Sequence, residues 1–354
     1  MGTTHCLQAS HLHSITRRVF VAAGTPRHIA DDVAEILVNA NLAGHDSHGV
    51  LRIPAYLRSI EGGRIDPEAE PNVLKETANT LSLDGKHGFG HYTARQGMQR
   101  VIEKAKATDV CSVSLTNIGH IGRLGEYAEA AARAGCIGII TLGVGGAGSV
   151  VQTVPFGGGR GALGTNPIAV GVPTGDDAPF IIDFATSVIA EGKIQVARSK
   201  GADLPKGCIL DKHGNPSVKP ADFYDDGFLL PFGRHKGYAI SLLTCLLGGL
   251  TGSFDVEHGS MGGVFMQAIN VNASTPLARY QQGVRAFLDG IKSIPPAPGF
   301  DEVLVPGDLE HRLRAERLAN GIELPDTIYQ QIQEEAEKLS VSMHDETVES
   351  ADAE

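Results

Sequence analysis

The chain has 354 residues, of which 42% are hydrophobic and 20% are charged, as expected for a folded protein with one large domain or two smaller ones. Its 30 Lys and Arg residues against 41 Asp and Glu residues give a formal net charge of -11, which argues against general nucleic-acid binding because that function needs a basic face. The 5 cysteines are scattered without CxxC spacing and the N-terminus lacks an apolar signal segment, so the sequence favours the cytoplasm.

Helices are predicted at both ends of the chain. Residues 7–22 fit one helix, and Thr25 as N-cap with Pro26 at the first helical position starts a second helix that ends near Gly44. A third helix is predicted over residues 49–61. Three more helices are predicted over residues 275–292, 308–319 and 326–340. The acidic tail that follows them is expected to be disordered.

Strands are predicted in the middle of the chain. Their ranges are 80–85, 110–117, 136–143, 167–173, 179–184 and 262–271, with helices over 91–107, 123–134, 188–200 and 236–250. The last of these helices is strongly apolar, which predicts burial on most of its sides. The segment 201–222 has the composition of a loop. The simplest architecture is an α/β fold in which the N- and C-terminal helices pack together against a central α/β domain.

The segment "GVGGAG" at residues 143–148 matches G-x-G-x-x-G and follows a predicted strand. A dinucleotide-binding fingerprint of that kind needs a helix that starts at the glycines and faces the pyrophosphate. Here Pro155 and a run of glycines follow closely, and the region about 20 positions further on carries no acidic residue. The glycines are therefore interpreted as a loop that lets backbones pass close to one another.

The stretch "GHDSHGVLR" at residues 44–52 holds an unusual density of titratable side chains. If residues 48–56 are helical, His48, Arg52 and Tyr56 share one face. Arg52 would lower the pKa of His48 by like-charge repulsion, which favours a neutral base, and a guanidinium also binds a carboxylate through two hydrogen bonds. A base and a carboxylate clamp one helical turn apart suit a 2-hydroxy acid as substrate.

Two other interpretations of this stretch stay open. Asp46 or Ser47 can act simply as a helix cap, with the histidines exposed. Alternatively, His45, Asp46 and His48 can hold a metal ion, although the spacing offers no clear third ligand.

His120 is a second acid/base candidate. It lies between a predicted strand and a predicted helix, and Gly119 and Gly122 beside it would allow a ligand to approach closely. An ordinary loop histidine is the alternative.

Three polar helix starts in the second half could together hold a dinucleotide, although each alone is only a cap. Thr186 and Ser187 are expected to cap the helix over 188–200. Lys236 stands at the start of the apolar helix and offers a point charge to a phosphate. A Pro-Gly pair precedes the helix over 308–319, and "GTNP" at residues 164–167 fits a turn.

Taken together, these segments resemble the malate/L-lactate dehydrogenase family that lacks a Rossmann fold. The matching stretches are "AGHDSHGVLRIPAYL", "NIGHIGRLGEYAEAAARAGCIGI", "GTNPIAVGVP", "IIDFATSVIAEGK", "HKGYAISLL" and "PGD" before the last helices. They occur in the family's order over roughly residues 40–320. Within the family, "ANLAGHDSHGV", "HIGR", "ATSVIAEGK" and "KGCILDKHGNP" are most similar to the hydroxycarboxylate dehydrogenase branch.

The resemblance implies an α/β fold with a mostly antiparallel central sheet, a homodimer, NAD or NADP as cofactor, and no metal. It implies His48 as the acid/base residue, with His120 in the same site and equally eligible for that role. Substrate contacts are implied for Ser47, Arg52 and Thr165. Cofactor contacts are implied for Asp183, Phe184, Ala185, Thr186, Ser187, Val188, His235, Lys236, Pro306, Gly307 and Asp308.

The function implied is hydride transfer between NAD(P)H and a small 2-oxo acid, without nucleic acid or membrane as partner. Reduction of a cyclic imino acid by the same site, and a ligand-binding relative that has lost turnover, are the alternatives. The implied division of the chain places the N-terminal helical part of the substrate and dimer domain at 1–75, the cofactor-binding domain at 76–274, helices returning to the N-terminal part at 275–340, and the tail at 341–354.

Overall fold

The computed structural model describes residues 4–147, 151–176 and 178–344. The helices in these ranges are α1 (Ala9–Ala22), α2 (Arg27–Leu42), α3 (Ile53–Glu61), α4 (Gly90–Thr108), α5 (Gly125–Arg133), α6 (Glu191–Ser199), α7 (Pro220–Tyr224), α8 (His235–Gly248), α9 (Leu277–Lys292), α10 (Asp308–Asn320) and α11 (Asp326–Lys338). The strands are β1 (Thr4–Leu7), β2 (Asn72–Glu76), β3 (Thr80–Asp84), β4 (Val110–Thr116), β5 (Cys136–Gly146), β6 (Ile168–Val172), β7 (Phe180–Phe184), β8 (Ile209–Leu210), β9 (Pro216–Ser217), β10 (Phe228–Leu229), β11 (Phe254–Asp255), β12 (Ser260–Asn270) and β13 (Ile322–Pro325).

A mixed sheet forms the centre of the molecule, in the strand order β2-β3-β4-β12-β5-β6-β7 with β11 on β12. β3 and β4 run parallel, and the other described pairs of this sheet are antiparallel. Gly138 of β5 lies under α5, and Gly143 lies under α8. Because successive residues of a strand point to opposite faces, these two helices cover opposite sides of the sheet. The α5 side holds a continuous apolar core that includes Leu83, Met98 and Val113.

The glycine-rich segment forms the end of strand β5 and allows α8 to pack closely against it. A Cβ atom added at Gly143 would lie 2.3 Å from the backbone nitrogen of Cys245, so no other residue fits there. The interpretation as a place of close backbone approach is confirmed, although the glycines up to Gly146 form a strand and not a loop. Gly148, the last residue of the motif, lies outside the described ranges.

Within a single chain, the apolar helix is not buried on most of its sides, contrary to the prediction. Small residues of α8 face the sheet, and the side chains of Leu243 and Leu246 are 49% and 62% exposed. The reason is the close approach to the glycines of β5, which leaves no room for leucine on the inner face.

The two ends of the chain share a second core. β1 pairs antiparallel with β13, and apolar side chains of α1, α2, α3 and α11 pack together beneath this pair. Met343 is buried in the same core, while residues 345–354 of the predicted tail lie outside the described ranges. By contrast, α9 has no buried residue. No helix within the described ranges combines the length and hydropathy needed to cross a bilayer.

Several short elements were not predicted from the sequence. The segment 201–222, predicted as a loop, contributes β8 and β9 to a small sheet in the order β10-β8-β9, and α7 follows. Two-residue strands carry too few positions for alternation to appear in the sequence.

Candidate active site

The turn between α2 and α3 carries the first acid/base candidate. Asp46–His48 and Val50–Arg52 each form one 3-10 turn, and Gly49 between them is extended. The helix predicted over residues 49–61 begins only at Ile53, so the condition that residues 48–56 are helical is not met. Pro54 lies in the first turn of α3, the only part of a helix that tolerates it, and so prevents an earlier start.

Asp46 anchors this turn to the C-terminal helix α10. Nη1 and Nη2 of Arg317 donate to Oδ1 and Oδ2 of Asp46 at 2.7 and 3.1 Å, a bidentate pair. Nδ2 of the buried Asn41 donates to Oδ1 of Asp46 at 2.6 Å. His45 in turn pairs with Glu310 of α10 at 3.6 Å. His45 and Asp46, which were considered above as metal ligands, thus form contacts that hold the turn in place.

Gly49 is required by the same anchor. The Val50 backbone N–H donates to Oδ1 of Asn41 at 2.9 Å, which pulls the amide side chain against the turn. A Cβ atom at position 49 would lie 2.2 Å from that Oδ1 atom. A glycine at this position lets the side chain of Asn41 hold both halves of the turn.

His48 and Arg52 face the same space. Nδ1 of His48 lies 3.0 Å from Oγ of Ser47, and Nε of Arg52 donates to the Ser47 carbonyl at 2.7 Å. Both side chains belong to half-buried residues. Within the described ranges, Arg52 forms no ion pair with a carboxylate. A partly desolvated guanidinium without a protein partner is suited to binding an acidic ligand.

His120 lies opposite His48. Their ring centroids are 5.4 Å apart and the rings are inclined by 19°. Nδ1 of His120 lies 2.7 Å from the Tyr56 hydroxyl and accepts the Gly122 N–H at 3.3 Å. His120 is exposed, so its ring forms the open side of the site. The structure thus brings Ser47, His48, Arg52 and His120 together, as expected for a shared site.

Burial and neighbouring positive charges keep both imidazoles of this site uncharged. Burial, followed by the charges of Arg52, His45 and Arg123, lowers the pKa of His48 to about 4. Desolvation of its ring, followed by the charges of His48 and Arg52, also lowers the pKa of His120. Both imidazoles are therefore uncharged at neutral pH, and each can accept or share a proton.

Thr165 and the segment 183–188 meet near the start of α8. The Thr165 carbonyl accepts hydrogen bonds from the backbone N–H and the hydroxyl of Thr186, at 2.7 and 2.9 Å. Val188 N–H donates to the Leu230 carbonyl at 2.8 Å, and Phe232 N–H donates to the Thr186 carbonyl at 2.9 Å. Residues 230–232 lead directly into α8, so these segments form one surface.

Thr186 and Ser187 do not cap a helix, contrary to the prediction. α6 starts at Glu191 without a side-chain cap, and the Ser187 hydroxyl donates to the Ile189 carbonyl at 3.1 Å. The helix nonetheless approaches the acid/base site, because a Cβ atom at Gly192 would lie 3.8 Å from Cβ of Ser47. The polar segment before α6 is stabilised by the loop ahead of α8 instead.

At the start of α8, side chains are more available to a ligand than backbone N–H groups are. Lys236 N–H and Gly237 N–H donate to carbonyls of the preceding loop at 3.2 and 3.1 Å. His235 and Lys236 are exposed, and the described residues place no carboxylate in an ion pair with Lys236. Its ammonium group is available for a phosphate.

Two predicted cofactor residues are engaged in the scaffold. Oδ2 of Asp183 accepts the Gly125 N–H at 2.7 Å at the start of α5. Asp308 accepts the Val305 N–H at 3.1 Å and pairs with Lys292 at 3.0 Å, while Gly307 packs against the backbone of Ile181. The remaining residues of these two segments, Phe184, Ala185 and Pro306, lie beside them in the chain.

Sequence reasoning missed His91. It is 0% exposed at the head of α4, and its Nε2 atom lies 3.4 Å from the Tyr56 hydroxyl. The available signal was its position directly after Gly90, in a segment where glycines allow backbones to meet: a Cβ atom at Gly90 would lie 2.6 Å from the His120 carbonyl. The sequence alone does not show that the loop of His120 rests there.

The chain was compared with known proteins. The family model for malate/L-lactate dehydrogenase matches residues 7–333. Hydroxycarboxylate dehydrogenase B of Escherichia coli O157:H7 is 35% identical over 357 aligned positions, which cover 96% of each chain. The crystal structure of malate dehydrogenase from Entamoeba histolytica superposes with a TM-score of 0.89 at 27% identity, covering 96% of this chain and 99% of the other.

The solved structure of a protein with a different named activity is also similar. Delta1-piperideine-2-carboxylate reductase from Pseudomonas syringae has a TM-score of 0.80 and 32% identity, over 94% of this chain and 100% of the other. The family match spans nearly the whole chain and includes each segment that forms the site described above. The chain belongs to the malate/L-lactate dehydrogenase family.

Proposed function

We propose that this chain reversibly reduces a small 2-oxo acid to the 2-hydroxy acid with a nicotinamide cofactor. The observation that supports this most directly is the half-buried Arg52, which has no carboxylate partner in the described part of the chain and lies beside two neutral histidines. A carboxylate on Arg52 places the neighbouring C2 oxygen near the imidazoles, where a proton must be gained or lost. The family supports the same reaction class.

The residues of this region fit a dinucleotide. Lys236 offers an ammonium group that forms no ion pair among the described residues, Thr186 and Val188 lie on the adjoining segment, and α6 begins close to Ser47. We infer that the segment 183–188 and the head of α8 hold the cofactor, with the turn at residues 306–308 as a further predicted contact. The bound nicotinamide supplies or receives the hydride.

The acid/base role falls to His48 in this proposal. Nδ1 of His48 can keep its proton and donate to Ser47 Oγ, so that Nε2 accepts the proton of the C2 hydroxyl when the hydroxy acid is oxidised. In the reductive direction, Nε2 first takes a proton from solvent and then gives it to the C2 oxygen as the hydride arrives at C2. Nδ1 of His120 accepts the Gly122 N–H, so the neutral ring carries its proton on Nε2 and donates a hydrogen bond to the same oxygen. Arg52 orients the substrate and balances its carboxylate.

We further propose that the protein works as a homodimer through the outer face of α8. Leu243 and Leu246 of α8 are 49% and 62% exposed, and Leu250 in the turn directly after α8 is 63% exposed. A group of neighbouring exposed leucines is a feature of association surfaces. A second copy of this chain would bury it, consistent with the dimer that the resemblance implies.

The experiment that tests the reaction follows the absorbance of NADH and of NADPH with a panel of 2-oxo acids and cyclic imines. We expect oxidation of at least one reduced cofactor with 2-oxo acids. Turnover restricted to cyclic imines would select the second candidate, which the likeness to the piperideine-carboxylate reductase favours. No turnover with either class would contradict both.

A further inference from the structure

His91 is a fully buried histidine that the mechanism above does not use. Its ring lies 5.3 Å from the ring of Tyr56 and 5.7 Å from the ring of His120, nearly perpendicular to both. Its Nδ1 atom is buried without a hydrogen-bond partner in the described structure. Burying an imidazole with one unsatisfied nitrogen lowers stability, so we expect the hydrogen bond of its other nitrogen to have a role.

The direction of the hydrogen bonds around Tyr56 follows from Gly122. The Gly122 N–H points at Nδ1 of His120 at 3.3 Å, so that nitrogen carries no proton. The Tyr56 hydroxyl, 2.7 Å from the same nitrogen, must then donate to it. Its oxygen is left as an acceptor, and Nε2 of His91 stands 3.4 Å away to donate.

The opposite direction conflicts with the same contacts. It would put a proton on Nδ1 of His120 facing the Gly122 N–H, and would move the proton of His91 to its partnerless Nδ1. Buried N–H groups without acceptors are rare because they lose their hydration without compensation.

We propose that His91 is a positioning residue that fixes the tautomer of His120 through Tyr56. The N–H of His91 holds the tyrosine oxygen, the tyrosine hydroxyl holds Nδ1 of His120, and Nε2–H of His120 is thereby presented to the substrate oxygen. The chain of contacts runs from the fully buried His91 to the exposed His120. The catalytic part of this inference rests on the proposed function.

The surroundings keep His91 uncharged. Burial, followed by the nearby His120, His48, Arg95 and Arg52, holds its pKa well below the usual range. All the titratable groups named here are basic, so His91 stays uncharged around neutral pH. The hydrogen bonds between His91, Tyr56 and His120 therefore keep the same direction.

The test compares His91→Leu with His91→Gln. Leucine removes the donor, whereas glutamine can keep an amide N–H near the position of Nε2. We expect kcat with a 2-oxo acid to fall about ten-fold in H91L with a smaller change in KM, and to be largely retained in H91Q, since one hydrogen bond is lost only in the first. Equal losses in both variants, or none in H91L, would overturn the proposal.

A second measurement does not depend on turnover. Histidine labelled with 15N reports by NMR which ring nitrogen carries the proton, and the signals of His120 are identified by their loss in His120→Gln. We expect a single Nε2–H tautomer in the unsubstituted protein and a mixture in H91L and in Tyr56→Phe. An Nδ1–H ring in the unsubstituted protein contradicts the inference even if 2-oxo acids are reduced, and the expected pattern supports it even if they are not.

Discussion

In the proposed function, His48 and Arg52 divide the work of the site between proton transfer and substrate binding. The imidazole is held by a serine hydroxyl on one side, and the guanidinium is held by the carbonyl of the same serine. One residue, Ser47, therefore fixes the relative position of base and clamp. Its short side chain leaves little freedom to either group, which is the condition for efficient proton transfer.

Substitution of these two residues should separate their roles. We expect His48→Gln to lower kcat by a factor on the order of 10² to 10⁴ while cofactor binding is retained, because the proton-exchanging group is lost. Arg52→Lys should chiefly raise KM, since an ammonium cannot form the two parallel hydrogen bonds of a guanidinium. Steady-state kinetics and cofactor fluorescence titration measure both.

The alternative assignment gives the opposite result. If His120→Gln abolishes turnover and His48→Gln remains active, the proton is exchanged by His120, and our assignment of the two histidines is reversed.

At the scale of elements, glycines determine where the backbones meet. Gly49 admits the side chain of Asn41, Gly90 admits the loop of His120, and Gly143 admits α8. The last two are contacts between segments far apart in the chain. A glycine in a sequence permits such an approach, but it does not say which segment makes it.

Gly49→Ala should therefore disrupt the catalytic turn. The new Cβ atom would lie 2.2 Å from Oδ1 of Asn41, so the amide must move and the turn loses its central hydrogen bond. We expect a loss of stability of about 2 kcal/mol and a larger loss of kcat/KM, measured by urea unfolding and by kinetics. Gly283→Ala in α9, where no atom lies within 4 Å of the new Cβ, is the control and should be neutral or slightly stabilising.

The face of α8 predicts the oligomeric state. Leu246→Glu places a charge on the exposed leucine surface and should convert a dimer to monomers, measured by light scattering after size-exclusion chromatography. The matched control is Leu318→Glu, at a leucine that is 52% exposed on α10, which should remain dimeric. A protein that is monomeric without any substitution would contradict the homodimer proposal directly.

The sequence predicted the regular elements well and their contacts poorly. The six predicted strands and the helices over 91–107 and 275–292 appear within a few residues of their expected bounds, because long runs carry clear periodicity. The pairing of β1 with β13 did not emerge, since neither strand has enough residues to show alternation. The inward face of α8 was mistaken because hydropathy does not reveal the glycine strand beneath it.

The site was predicted in part for a similar reason. His48, Arg52 and His120 stood out as polar residues in unusual local patterns. Their grouping depended on the family resemblance, because the helical spacing first invoked for His48 and Arg52 is absent. His91 lies at the start of a different element, α4, and only the fold brings it to Tyr56.

At the scale of the whole molecule, the buried histidines link stability to pH. Both His48, with a pKa of about 4, and His91 bind protons less readily when folded than the usual value of 6.5. Between these values the unfolded chain binds more protons, so these groups reduce the free energy of unfolding as the pH falls below 6.5 and have no effect above it. The contribution of His48 is at most about 1.4 kcal/mol per pH unit between 6.5 and 4.

Denaturation at pH 7 and pH 5 tests this link. We expect His91→Gln to lose less stability than the unsubstituted protein on acidification, because glutamine does not titrate. The exposed His213→Gln is the matched control and should lose as much as the unsubstituted protein. Identical losses in all three proteins would show that His91 is not the source of the dependence.

The bond between Asp46 and Arg317 joins residues that are 271 positions apart. During synthesis, the base and the clamp leave the ribosome early, but the arginine that holds their turn emerges only when almost the whole chain has been translated. The N-terminal half therefore contains both proposed proton-transfer histidines, His48 and His120, without the arginine that anchors the turn of His48. We expect an incomplete product that ends before α10 to be inactive.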